Sequence, residues 1–185
     1  MSENAKHKIA NASPLGLLGF GTTTVLLNLS NAGIIPMSVV ILAMGIALGG
    51  LAQVIAGIME FKAGNTFGAT AFTAYGLFWW SLVLILTNPL GAEGADEKSL
   101  GFYMLLWFIF TAFMFIGTLK AGKALRVVFF TLALLFLALA IEKFTGSEAM
   151  AVVAGVIGII CGLSAIYTAL AEVLNETFGR KVMPV

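Results

Sequence analysis

Apolar runs long enough to cross a bilayer follow one another along nearly the whole chain. They occupy roughly residues 15–30, 37–59, 67–87, 100–119, 124–142 and 149–171. A helix of about 20 apolar residues spans the hydrocarbon core, and only helices or closed barrels satisfy their backbone hydrogen bonds in lipid. Charged residues make up 10% of the chain and gather at the ends of the runs, whereas soluble domains average about a quarter. The pattern predicts an all-α polytopic membrane protein, with six transmembrane helices within residues 15–172, an N-terminal segment 1–14 and a C-terminal tail 173–185.

The basic residues predict how the helices are oriented. With both termini cytoplasmic, the outer side keeps only Lys98 and Lys143 of the ten Lys and Arg residues. The inner side then holds Lys6, Lys8, Lys62, Lys120, Lys123, Arg126, Arg180 and Lys181. Cytoplasmic loops carry such an excess of positive charge. We therefore expect a multi-pass protein of the plasma (inner) membrane with both termini in the cytoplasm.

An internal repeat suggests what the helices enclose. A Gly-Leu-small motif, a glutamate and a Thr-Phe-Gly turn occur in this order in residues 50–68 and again in residues 162–179. The two glutamates, Glu60 and Glu172, stand 112 residues apart. Repeats of this kind are typical of transport proteins built from duplicated hairpins. Duplicated hairpins predict a path along the axis that they share.

Weaker similarity extends the repeat to a middle hairpin. The 112-residue offset pairs Phe20 with Leu132, and Gly19-Phe20-Gly21 is similar to Ala74-Tyr75-Gly76. Residues 61–64 and 119–122 match at an offset of 58. We therefore predict three hairpins around a central pore, with Phe20, Tyr75 and Leu132 at comparable depth. A large side chain from each hairpin would form a hydrophobic constriction, which is one way to gate a pore.

The apolar runs carry uncharged polar residues but no ionisable residue in their middles. Thr24 and Asn28 follow Phe20 at helical spacing, Gln53 lies deep in the second run, and Thr66 stands directly before the third. A buried amide or hydroxyl needs a hydrogen-bond partner, so each of these could simply join two helices. Together they predict a neutral lining, which suits a small polar or monovalent solute.

Several classes of protein are not favoured by the composition. One His and one Cys cannot supply a metal cluster or a nucleophile–base pair, so we expect no enzyme, no metal site and no cofactor. A net charge of +1 gives no sign of nucleic-acid binding. The lipid bilayer is the partner that the sequence implies directly.

At several motifs the chain resembles the acetate uptake transporter family, and closely its prokaryotic branch of succinate–acetate permeases. The motifs lie in order along nearly the whole chain: Asn11-Ala12-Ser13-Pro14-Leu15-Gly16-Leu17, Glu60 with Gly64-Asn65-Thr66-Phe67-Gly68, Thr70-Ala71-Phe72-Thr73-Ala74-Tyr75-Gly76, Phe115-Ile116-Gly117-Thr118-Leu119-Lys120 and Glu172-Val173-Leu174-Asn175-Glu176. The family pattern reads Asn-Pro-Ala-Pro at the first motif, where this chain has Ala12 and Ser13. Losing a proline frees the local backbone, which affects the geometry expected around Asn11.

The resemblance implies a homohexamer of six-helix protomers, each with its own acetate path. The family's Phe–Tyr–Leu constriction matches Phe20, Tyr75 and Leu132. A position linked to the choice between monocarboxylates and dicarboxylates aligns with Ala165, which stands opposite Gln53 in the repeat. Asn11, Asn65 and Thr66 join Thr24, Asn28 and Gln53 as candidate vestibule or lining residues.

The leading hypothesis is therefore passage of acetate, with succinate and other small carboxylates as further candidate solutes. The Tyr75 hydroxyl is a candidate hydrogen-bond donor to the carboxylate. Channel-like flow of the anion and proton-coupled uptake both fit the sequence. Two alternatives are a urea or amide channel of similar architecture and a non-transporting membrane scaffold packed through glycine faces, Gly45 with Gly49 and Gly158 with Gly162.

Overall fold

The computed structural model describes residues 9–185, and this part of the chain is helical, with six helices and no strand. The helices are α1 (Ser13–Asn31), α2 (Val39–Ala63), α3 (Thr66–Thr87), α4 (Glu97–Thr118), α5 (Lys123–Thr145) and α6 (Glu148–Thr177). Each predicted apolar run corresponds to one helix, and α6 continues five residues beyond the predicted boundary at 172. Residues 1–8, with Lys6 and Lys8 of the predicted inner side, lie outside the described residues.

Five of the six helices, α2 to α6, are long and apolar enough to cross a membrane. The expectation of six spans is met only in part, because α1 has 19 residues but includes three threonines and two asparagines. Nevertheless α1 packs against α6 over its whole length. Gly155 lies against Ala32 at one end of the pair, and the Asn11 side chain donates a hydrogen bond to Glu172 at the other. The five spans indicate a multi-pass membrane protein.

The six helices form a closed ring in which neighbours run antiparallel. Each helix packs against the next along the chain, and α6 returns to α1. Gly101 meets Phe144 between α4 and α5, and the Cys161 thiol of α6 donates a hydrogen bond to the Val128 carbonyl of α5 at 3.5 Å. The starts of α1, α3 and α5 therefore share one end of the bundle with the ends of α2, α4 and α6.

Glycines allow the closest helix contacts. Gly162 of α6 lies against Gly21 of α1 so tightly that a β-carbon at Gly162 would stand 2.7 Å from the Gly21 carbonyl oxygen. On α2, Gly49 packs equally tightly against the Trp79 ring, and Gly45 packs against the Val83 side chain. The two predicted glycine faces are therefore packing surfaces, as expected where small residues let helix backbones approach.

A π-helical segment, Gly45–Ala52, occupies the centre of α2. Side chains bond two of its carbonyls: the Trp80 indole donates to Ile46 at 3.0 Å, and the Gln53 amide donates to Gly49 at 2.6 Å. Such wide turns occur often at functional sites. Here the segment ends directly at Gln53, which faces the interior of the ring.

Candidate functional site inside the helix ring

A small cavity, here called the constriction cavity, lies inside the ring between α1, α2, α3 and α5. Its volume is about 20 Å³, which is room for about one water molecule. It is lined by Leu17, Phe20, Gln53, Ala71, Phe72, Tyr75, Val128, Phe129 and Leu132. The lining is therefore apolar apart from Gln53 and the Tyr75 hydroxyl.

Phe20, Tyr75 and Leu132 come from three different helices and meet at this cavity. The Phe20 and Tyr75 rings lie with their centroids 6.0 Å apart, and Leu132 is only 2% exposed. The Phe129 ring, one turn before Leu132 on α5, lies 6.2 Å from Tyr75. These contacts leave no open channel at this depth, so passage of a solute requires side chains to move.

The Tyr75 hydroxyl points to α4, where it lies 2.9 Å from the Thr111 hydroxyl. The Thr111 hydroxyl donates its single proton to the Trp107 carbonyl at 2.7 Å. It therefore accepts from Tyr75, because a hydroxyl has only one proton to give. The Tyr75 proton is engaged within the helix ring, which differs from its expected role as a donor to the solute.

We expect the Tyr75–Thr111 hydrogen bond to contribute to stability. Replacing Tyr75 with phenylalanine or Thr111 with valine should each lower the free energy of unfolding by about 1 kcal/mol, a usual value for a hydrogen bond between buried groups. The double variant should cost less than the sum of the two, because both substitutions remove one interaction. Unfolding in detergent measures all three values, and strict additivity would contradict this assignment.

Gln53 is the amide of the constriction cavity and is completely buried. Its nitrogen donates to the Gly49 carbonyl one turn earlier. Its carbonyl oxygen, Oε1, has no hydrogen-bond partner among the described residues. Buried polar atoms are rarely left without a partner, so this oxygen is a candidate contact for a solute or a water molecule.

A second cavity, here called the vestibule, adjoins the first toward the start of α1. Its volume is about 70 Å³. It shares Leu17, Ala71, Phe72 and Phe129 with the constriction cavity. Ser13, Asn65 and Glu172 give it polar walls. The two cavities therefore form a series in which a wider chamber with three polar residues in its wall leads to a narrower one.

Two glutamates anchor the wall of the vestibule, each bonded to an asparagine. Glu60 is 4% exposed and accepts from the Ser13 hydroxyl at 2.9 Å and from the Asn65 amide at 2.7 Å. Glu172 accepts from the Asn11 amide at 3.1 Å. Ser13 is one of the two departures from the family pattern, and its hydroxyl makes a bond to Glu60 that alanine could not make.

Four predicted lining residues lie elsewhere. Thr24 and Asn28 are buried, but Asn28 packs against Gly158 of α6, and neither lines the two cavities. Thr66 is exposed. Ala165 is fully buried in α6 and also lies outside the cavity walls. Asn11 and Asn65 lie at the vestibule end, as expected for vestibule residues.

Sequence reasoning missed the second row of the lining, although a signal for it exists. Leu17 precedes Phe20 by three residues, Phe72 precedes Tyr75 by three, and Phe129 precedes Leu132 by three. Because a helix has 3.6 residues per turn, each of these lies one turn from a predicted constriction residue on the same face. Stepping back one turn on each helix would have found them. Thr111 and its bond to Tyr75 had no such signal.

Comparison with known proteins identifies the family of the chain. The sequence profile of the GPR1/FUN34/yaaH family matches residues 1–184. The chain is 56% identical to the succinate-acetate/proton symporter SatP of Escherichia coli K12 over 180 residues, or 96% of each chain. It is 34% identical to acetate permease A of Emericella nidulans over 198 residues, which covers 97% of this chain and 66% of that protein.

A solved structure, that of the bacterial acetate channel SatP, superposes on the chain with a TM-score of 0.95. It is 56% identical in sequence, and the match covers 96% of this chain and 99% of the other. The family resemblance expected from the motifs is thereby confirmed. The protein belongs to the GPR1/FUN34/yaaH family.

Proposed function

We propose that this protein moves acetate across the plasma membrane through the path formed by the vestibule and the constriction cavity. The observation that carries the proposal is the series of two cavities inside one helix ring, closed by Phe20, Tyr75 and Leu132. Similarity over the full length to a succinate-acetate/proton symporter and an acetate channel supports it. Succinate and other small carboxylates are further candidate solutes, and the role is transport and not catalysis.

The size and polarity of the path suit a small monocarboxylate. The vestibule holds about 70 Å³ beside Asn65, whose amide keeps one N–H beyond the one that it donates to Glu60. The constriction holds about 20 Å³, which is room for about one water molecule. Side chains must therefore move to let each solute pass. Hydrophobic narrowing of this kind gates pores by excluding water.

The vestibule opens to the cytoplasm in this proposal. It lies at the bundle end shared by the start of α1 and the end of α6, where the positive-inside pattern puts both termini. Lys62, Lys120 and Lys123 lie at the same end of α2, α4 and α5. The opposite end carries Lys98 and Lys143 with the acidic Glu97 and Glu142.

We also propose that the ring consists of three repeated hairpins, α1–α2, α3–α4 and α5–α6. Glu60 at the end of one hairpin bonds Asn65 before the next, and Glu172 at the end of the last bonds Asn11 before the first. The equivalent position of the middle hairpin, 58 residues after Glu60, is Thr118. The same Glu–Asn contact thus occurs after the first and the last hairpin, which supports the repeat for two of the three hairpins.

Six such protomers would assemble as a hexamer, each with its own path. The path is built within a single chain, which is compatible with any oligomeric state. The outer faces of the helices expose large apolar side chains, such as Val39, Leu106, Phe113 and Ile116, and these would contact lipid or a neighbouring protomer. One detergent-stable species of about six chains by light scattering is the expected result, and a monomer in mild detergent would contradict it.

Flux measurements test the proposed function. Proteoliposomes should take up ¹⁴C-acetate at least about tenfold faster than protein-free liposomes, take up succinate more slowly, and pass no urea above background. The Ala71→Leu variant, which adds carbon atoms in the wall common to both cavities, should reduce acetate uptake toward background at a cost of about 1–3 kcal/mol in stability. Urea flux above acetate flux would favour the urea or amide channel, and an absence of flux would favour the scaffold.

A further inference from the structure

We propose that the protein binds an anionic phospholipid at its cytoplasmic end, in a positively charged cavity on the outside of the helix ring. This cavity, here called the basic cavity, lies between the start of α5, α6 and the C-terminal tail, and its volume is about 720 Å³. It shares no lining residue with the constriction cavity or the vestibule. This second site takes from the proposed function only the orientation of the bundle.

Three basic side chains line the basic cavity, and no acidic side chain of the described residues does. They are Lys123 and Arg126 of α5 and Lys181 of the tail. None of the three forms an ion pair with a carboxylate side chain within residues 9–185. A terminal carboxylate on Val185, which also lines the cavity, would still leave the lining positive. The cavity is therefore suited to an anion.

Arg126 is anchored with part of its hydrogen-bonding capacity unused. One guanidinium nitrogen, Nη2, donates to the Leu119 carbonyl just after α4 at 3.1 Å, which fixes the side chain across the turn between α4 and α5. Its Nε is buried and has no hydrogen-bond partner among the described residues. Buried donors are rarely left without a partner. A phosphate group presents several oxygens and matches the planar fork of a guanidinium.

The tail that carries Lys181 is held in place by side chains of α6. The Asn175 side chain accepts a hydrogen bond from the Met183 N–H at 2.9 Å and donates one to the Met183 carbonyl at 2.8 Å. The Tyr167 hydroxyl donates to the Pro184 carbonyl at 2.9 Å. These bonds fix the backbone beside Lys181, so the third basic side chain belongs to a built wall of the cavity.

An apolar surface continues from the basic cavity toward the centre of the membrane. Val127 and Ser164 line the cavity itself. Phe130 follows Val127 by three residues on α5, and Ile160 precedes Ser164 by four residues on α6. This spacing puts each pair on one face of its helix. Phe130 and Ile160 are 49% and 52% exposed, so their side chains are open to acyl chains.

A phospholipid fits this combination better than a soluble anion does. The cytoplasmic leaflet is rich in anionic lipids, and basic pockets between helices on that side bind their headgroups. The phosphodiester would accept hydrogen bonds from the Lys and Arg side chains, while the acyl chains would cover the apolar surface. A choline headgroup would bring a fourth cation beside the three basic residues. We therefore expect a preference for phosphatidylglycerol over phosphatidylcholine.

The test is a titration of the full-length protein in detergent with each of the two lipids, with bound lipid counted by native mass spectrometry. A basic residue near anionic lipid strengthens binding on the order of fivefold. The Lys123→Gln/Lys181→Gln double variant should therefore bind phosphatidylglycerol about 25-fold more weakly than the unmodified protein. Both lysines are exposed, so this variant should unfold at the temperature of the unmodified protein when no lipid is added.

The matched control is the Lys62→Gln/Lys98→Gln double variant. It removes the same charge from exposed positions outside the basic cavity, and it should keep the affinity for phosphatidylglycerol. Equal affinities of the two double variants would overturn the inference, as would equal binding of the two lipids. Displacement of the lipid by sn-glycerol 3-phosphate at equal concentration would assign the cavity to a soluble anion instead. Acetate flux does not enter these measurements, so a failure of the proposed function would be seen separately.

Discussion

Replacing Leu132 with alanine is expected to raise succinate flux by at least about tenfold while acetate flux persists. Leu132 is 2% exposed and forms one wall of the constriction cavity, whose volume is only about 20 Å³. Buried leucine-to-alanine changes leave part of the removed volume as a cavity, because the surroundings collapse incompletely. In a wider constriction, the surrounding side chains need to move less to admit a four-carbon acid. Competition between ¹⁴C-succinate and ¹⁴C-acetate uptake in proteoliposomes measures the change.

Leu135→Ala is the matched control for this variant. Leu135 lies one turn further along α5 and is equally buried, at 4% exposure, but it does not line either cavity. Both variants should lose about 2–5 kcal/mol of stability, whereas only Leu132→Ala should change the succinate-to-acetate ratio. An unchanged ratio in a folded Leu132→Ala protein would show that this position does not limit passage, and would favour the scaffold hypothesis.

Replacing Glu60 with alanine is expected to cost about 3 kcal/mol of unfolding free energy. The carboxylate is 4% exposed and holds two side chains, those of Ser13 and Asn65. Hydrogen bonds to a charged group contribute about 1.5–3 kcal/mol each, and a buried donor left without its acceptor adds a penalty. The loss should appear as a lower unfolding temperature in detergent and as faster proteolysis near residue 13, because Ser13 begins α1.

Glu93→Ala, in the exposed loop between α3 and α4, provides the comparison. Surface substitutions usually change stability by less than about 0.5 kcal/mol, so this variant should unfold near the temperature of the unmodified protein. Glu172→Ala should fall between the two, because its hydrogen bond to Asn11 lies at the exposed rim. Equal stability of Glu60→Ala and Glu93→Ala would contradict the structural role of Glu60.

The helices were predictable because their signal is local. Long apolar runs with charged ends predicted all six within a few residues, since lipid leaves a chain little choice but to form helices. α1 is the instructive case, because its threonines and asparagines keep it below the hydropathy of a membrane span. Contact with α6 along its whole length, and not its own composition, holds it in the ring.

The part of the candidate site that consists of one residue from each hairpin could be predicted from the sequence. Phe20, Tyr75 and Leu132 follow from the repeat and the family motifs, and they meet at one cavity together with Gln53. In the stripe Phe20, Thr24 and Asn28, Phe20 lines the constriction cavity, whereas Thr24 and Asn28 line neither cavity. At 3.6 residues per turn, eight residues exceed two turns by about 80°, which brings Asn28 onto Gly158 of α6 and away from the axis.

By itself the sequence determined the class of protein, the number of helices and the family, because each depends on composition or on linear motifs. Tertiary structure alone decided which polar atoms are used and which are left free. The Tyr75 hydroxyl is bonded to Thr111, 36 residues away, while Gln53 Oε1 has no partner within residues 9–185. A hydrogen bond depends on distances of about 3 Å between helices, and no pattern along one chain encodes such a distance. The free acceptor on Gln53 could therefore be recognised only from the closed ring of helices.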